Sequence, residues 1–167
     1  YTGSMHTLFT RMVVAVALTI PLASPMAAPP PFRVGERLTY DVSWSNFLTA
    51  GEATVAVREE RRVGAQPAFY IVAEARTTGV VSSLYTLYYK ADTLLGTTSL
   101  LPIKGTVFSQ EGRRTRNKIT SFNHQTGRVA YEVRTATVVT KELWAPRDSQ
   151  DIVSAVFALR SLPLKPG

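Results

Sequence analysis

Three groups of residues in this 167-residue chain carry side chains suited to chemistry. The acids Asp41, Glu52 and Glu74 form the first. Two carboxylates are all that most glycosidases need, one as acid and one as base or nucleophile. Here three would have to converge on one face, and pairing across strands with Arg58 and Arg76 accounts for them more simply. His124 is the second, in the polar turn NHQTG. A serine–histidine–acid relay needs a base held beside a nucleophile. A turn of this composition offers no such pocket, so His124 reads as a solvated turn residue. The third group is the cation cluster Arg113, Arg114, Arg116 and Lys118. The last three alternate with Thr115 and Asn117, so on a strand they form a stripe along one face. Such a stripe suits the phosphates of lipopolysaccharide or of a phospholipid surface. It equally suits an edge strand that uses charge to keep other sheets away.

Other chemistries have no residues to run on. The chain has no cysteine, which removes disulfides, thiolate catalysis, zinc–thiolate sites and iron–sulfur clusters together. No histidine pair or acidic group has metal-ligand spacing, and Gly51, Gly64 and Gly79 stand singly at turns rather than in a phosphate loop. The expectation is therefore no catalytic site, no metal and no cofactor.

The elements that position these residues are strands. In residues 36–44, Leu38, Tyr40, Val42 and Trp44 alternate with Thr39, Asp41 and Ser43, the period of a half-buried strand. Residues 45–51 turn, and Ala53, Val55 and Val57 resume the inward face. Residues 59–66 (EERRVGAQ) read as a charged hairpin tip, with Gly64 free to take a positive φ. A third strand opens at Pro67 with Phe69, Ile71, Ala73 and Ala75 on one side. Residues 80–84 fit either a short helical turn or an irregular crossover. Residues 85–92 are a strand and 93–101 turn-like around Gly96. Residues 103–110 and 114–122 form a hairpin joined at Glu111-Gly112-Arg113, and 129–133 and 137–144 complete the series. The period changes only at 152–160, where Asp148 and Asp151 precede an apolar 3–4 repeat that Pro163 ends: a helix capped by Asp151, with Arg160 capping carbonyls or pairing with an acid. The fold predicted is mainly β: an antiparallel meander curved into a barrel or half-barrel, covered by one C-terminal helix. The end at Gly167 reads as an interruption, with strands still to come.

The N-terminus reads as an address. Arg11, the apolar run 12–22 and the small residues before Pro29-Pro30-Pro31 have the order of a secretion signal, cut near Ala27. The run, interrupted by Pro21, is about half of the ~20 apolar residues that cross a bilayer, so no stable membrane span is expected after cleavage. The division is 1–4 as upstream remnant, 5–27 as signal peptide, 28–35 as Pro-rich leader and 36–167 as one β-rich domain. Loss of Arg11 leaves 18 Lys and Arg against 12 Asp and Glu, a net charge of +6. Outside the cytoplasm a basic surface meets lipid headgroups sooner than nucleic acid. Nucleic acid is further disfavoured because no exposed aromatics interleave the stripe.

Phe32 to Trp44 (FRVGERLTYDVSW), Ala50-Gly51-Glu52-Ala53, Ala73 to Gly79 (AEARTTG), Ser83-Leu84-Tyr85, Asp151 to Ser154 (DIVS), Leu159-Arg160, Pro163-Leu164 and Gly167 together resemble the bacterial exported family called domain of unknown function 3108. The resemblance implies a periplasmic, β-rich protein whose relatives continue with further strands. It supplies no activity and no catalytic residues. Tyr40, Trp44, Phe69, Tyr85 and Tyr89 are the candidates to line an apolar cavity in a curved sheet, and Arg114, Arg116 and Lys118 are the candidate basic stripe. The expected function is a non-enzymatic periplasmic cell-envelope protein that binds a lipid-like, lipopolysaccharide-like or other hydrophobic molecule. An envelope scaffold acting on a partner protein through a sheet edge or the stripe is the second reading, and a hydrolase the third.

Overall fold

The computed structural model describes residues 29–45 and 48–163 of the chain, and the expected signal segment 5–27 lies outside them. Eight strands follow one another: β1 (Arg37–Ser45), β2 (Leu48–Val63), β3 (Gln66–Thr77), β4 (Leu87–Gly96), β5 (Pro102–Glu111), β6 (Arg114–Asn123), β7 (Arg128–Arg134) and β8 (Val138–Trp144). Each pairs antiparallel with the next, in the order β1-β2-β3-β4-β5-β6-β7-β8. The meander does not close: β1 and β8 are its two edges, so of the two shapes the alternation allowed, the open one forms.

One helix interrupts this order and a second follows it. α1 (Gly79–Leu84) bridges β3 and β4, which makes residues 80–84 a helical turn. α2 (Ile152–Arg160) crosses one sheet face and packs on β3 and β4. Beneath it Val57, Phe69, Ile71 and Leu95 meet Val153 and Phe157 in the buried core. Phe32, which precedes β1 in the leader, completes that core. Its ring meets Phe69 edge-on at 5.4 Å and Phe157 at 4.7 Å. Edge-to-face pairs of this kind add to the burial of the rings themselves.

Side chains fasten α2 at both ends. Asp151 is its N-cap: Asp151 Oδ1 accepts the Ser154 backbone N–H at 2.7 Å, and Ser154 Oγ accepts that of Asp151 at 2.8 Å. Two orphan donors of the first turn are thereby satisfied. The other carboxylate oxygen accepts from Thr93 Oγ1 at 2.7 Å, tying the helix start to β4. Arg160 pairs with Glu36 at 2.6 Å and lies over the Phe157 ring.

Strand ends differ from the sequence expectation at four turns: β2 already starts at Leu48, inside the expected turn 45–51, and β5 runs on to Glu111, which leaves Gly112 and Arg113 between β5 and β6. β2 runs to Val63 and β3 starts at Gln66, so the charged run 59–62 is strand and only Gly64 (φ 59°) and Ala65 turn. Similarly β4 continues through Thr93 to Gly96, since Thr93 and Leu95 are buried core positions rather than loop.

Candidate functional site

Register decides which side chains share the face under α2. Across β2 to β5 the pairs Val55↔Ala73, Ala73↔Ala91 and Ala91↔Val107 place these four in one row. The next row is Ala53↔Ala75, Ala75↔Tyr89 and Tyr89↔Ser109. Alanine thus occupies four positions, 53, 73, 75 and 91, where the core rows nearer Phe157 carry Phe, Ile or Leu. Small side chains beside a helix that covers only part of the sheet leave a trough of about 580 Å³. Alanines and Val107 form its floor, and Ile152, Val153, Val156 and Phe157 of α2 form its wall. Ile152 and Val156, which no sheet residue covers, are 74% and 47% exposed.

The polar side chains stand at the rim. Val107 pairs with Lys118, Ser109 with Arg116 and Glu111 with Arg114, so the basic stripe of β6 lies on the trough face. Arg116 and Lys118 line the trough. The Lys118 ammonium is 5.3 Å from the Tyr131 ring centre. The Tyr89 hydroxyl donates to the Glu111 carboxylate, and that bond holds the hydroxyl above its ordinary value of 10.0.

Of the aromatic candidates, Tyr89 alone lines the trough. Phe69 is spent in the core under α2. Tyr40 pairs with Ala53 one strand beyond the trough and is 53% exposed, since the sheet here extends past the helix. Tyr85 is exposed between α1 and β4. The Trp44 side chain lies outside the described residues. The floor was missed because alanine carries no binding signal of its own; only its recurrence in register across β2, β3 and β4 marks it.

Catalytic candidates take structural positions. Asp41↔Glu52 and Thr54↔Glu74 put the three acids on the face opposite the trough, where Arg76 and Lys90 answer Glu52 and Glu74 at 3.6 Å each. His124 is not a free turn residue. Its ring stacks on Phe122, with Nδ1 2.6 Å from the Arg147 carbonyl oxygen and Nε2 2.7 Å from that of Pro102. It clips the start of β5 to the segment leading into α2.

A family model described as Protein of unknown function (DUF3108) matches residues 39–167. The chain belongs to that family. No curated protein and no solved structure matches it. In this DUF3108 chain the match takes in β2 to β8, α2 and all of β1 but Arg37 and Leu38, so the trough and its rim are built wholly from family sequence.

Proposed function

We propose that this protein binds a lipid-like, apolar ligand in the trough between β2–β5 and α2, and acts by binding rather than by turnover. One observation carries the reading: an alanine floor faces two apolar side chains of α2, Ile152 and Val156, that the sheet leaves uncovered. Exposed apolar surface at a concave site is unfavourable in water and becomes favourable once an apolar ligand covers it. A volume of about 580 Å³ falls within the ~300–1,000 Å³ of small-molecule pockets. The cell envelope is the proposed setting, supported by Arg11, the apolar run 12–22 and the small residues that follow.

Titration of the purified chain with a fluorescent fatty-acid probe tests this. The expected result is one probe per chain, displaced by unlabelled apolar competitors. Ala75→Phe fills the floor and lowers affinity at least tenfold, with Ala53→Leu as a second filling variant and thermal melting as the control for folding. A chain that ignores the probe, or folded filled variants that bind it undiminished, would overturn the reading. The stripe acting alone as an assembly surface predicts the first of those results.

A further inference from the structure

The trough continues at its Tyr89 end into a second space of different character. A cleft of about 520 Å³ is lined by Arg113, Arg114 and Arg116, by Glu111, and by Thr135 of the β7–β8 turn. Ser109, Glu111 and Arg116 line both spaces. Apolar floor and cationic cleft are therefore one continuous surface, joined at the Ser109↔Arg116 pair.

Charge in the cleft is unbalanced. Three guanidinium groups face one carboxylate, and that carboxylate already accepts the Tyr89 hydroxyl. Among the described residues none of the three arginines makes an ion pair. The surplus is two positive charges, held by the residue type whose planar fork matches phosphate oxygens.

We infer that trough and cleft form a single amphiphile site, with an acyl chain along the alanine floor and a phosphate headgroup among Arg113, Arg114 and Arg116. This rests on the trough being a ligand site and adds the chemistry of its ligand. A carboxylate headgroup carries one charge and engages one fork. A phosphate monoester carries about −1.5 to −2 at neutral pH and three acceptor oxygens, which matches the surplus. Lys118 stands farther along the trough, where its alkyl stem lies beside the acyl path and its ammonium reaches water.

Isothermal titration of the full chain with dodecyl phosphate, dodecyl maltoside and inorganic phosphate, below micelle formation, tests the assignment. Dodecyl phosphate is expected to bind one per chain, at least tenfold more tightly than either of the others, with an affinity that falls as salt is added. Arg114→Glu with Arg116→Glu, both exposed positions, is expected to erase the preference over maltoside while the melting temperature is kept. Equal binding of the two dodecyl compounds would overturn the headgroup assignment and leave the trough standing. Inorganic phosphate binding as tightly as dodecyl phosphate would remove the trough from the site, and failure of both dodecyl compounds to bind would remove both readings. A preference that survives the charge reversal would also overturn the assignment.

Discussion

Asp151 joins the helix beside the trough to the sheet beneath it, and Thr93 is the place to probe that joint. Thr93 is fully buried and donates to Asp151 Oδ2 at 2.7 Å, while Oδ1 caps the helix. Thr93→Val keeps the shape and removes the donor. Hydrogen bonds to charged groups contribute about 1.5–3 kcal/mol, so the variant should lose about 2 kcal/mol. Asp151→Ala removes the same bond and also the cap, itself about 1 kcal/mol, for about 3 kcal/mol in all. In that background the Thr93 hydroxyl has only the Lys104 carbonyl, at 3.5 Å, to donate to. Thr93→Val then costs little more, and the double-mutant cycle should return a coupling of about 2 kcal/mol. Gly105→Ala reaches the same joint from a third side, since a Cβ there would stand 2.7 Å from Asp151 Oδ2. It should destabilise strongly in the parent chain and weakly in Asp151→Ala. Urea unfolding with linear extrapolation reads all of these values. A Thr93→Val variant within about 0.5 kcal/mol of the parent, or an additive double variant, would refute the joint and leave α2 held by its apolar face alone.

Other outcomes follow from single positions. Phe32→Ala should cost about 3–5 kcal/mol in urea, because its ring is enclosed by Phe69 and Phe157 although it precedes the first strand. Tyr89→Phe should leave stability within about 0.5 kcal/mol, being a rim change, yet weaken dodecyl phosphate binding as Glu111 is released to compete for the arginines. Asp92 gives a pH test: burial holds its carboxyl above the ordinary 3.8, so the folded state binds its proton more tightly than the unfolded chain. Its stabilising share is then present in acid and lost as pH rises through the raised value. Asp92→Asn should accordingly melt higher than the parent at pH 7, with the gap closing below about pH 3.8; a gap that widens in acid refutes the assignment.

The strands were legible because their residues alternate under one dominant constraint, burial of one face. Leu38 to Val42, Val55 and Val57, and Phe69 to Ala75 all keep the face that alternation assigns them. Alternation is silent on how far a strand runs into polar residues. The run 59–62 looks like a tip by charge, yet Arg61 lies over the Tyr70 ring at 3.7 Å and bonds Glu59, so the charged residues satisfy one another on an extended ladder. α2 was legible down to its cap because Asp148 and Asp151 precede an apolar 3–4 repeat, a helix start signalled locally. The partners Thr93 and Gly105 lie 58 and 46 positions away from Asp151, and nothing local announces them.

The relation between stripe and trough turns on a single residue of loop length. Had Glu111, Gly112 and Arg113 all lain in the turn, Gln110 would have faced Arg114, and Arg114, Arg116 and Lys118 would share a face with Phe108. The turn contains two residues instead, Gly112 at φ 59° and Arg113, so Glu111 faces Arg114. That shift moves the whole stripe to the face of Val107 and Ser109, because side chains alternate with period two. Positive φ at the first turn position is costly for any residue with a Cβ, which is why glycine there selects the two-residue hairpin. Inserting one glycine after Gly112 should therefore do more than lengthen a loop. If the strands re-pair to suit the longer turn, the cations leave the trough face, and the preference for a phosphate-headed amphiphile should disappear while the uncharged amphiphile still binds. An insertion variant that folds, shows shifted pairing by amide contacts and keeps the preference would sever the link between register and ligand chemistry.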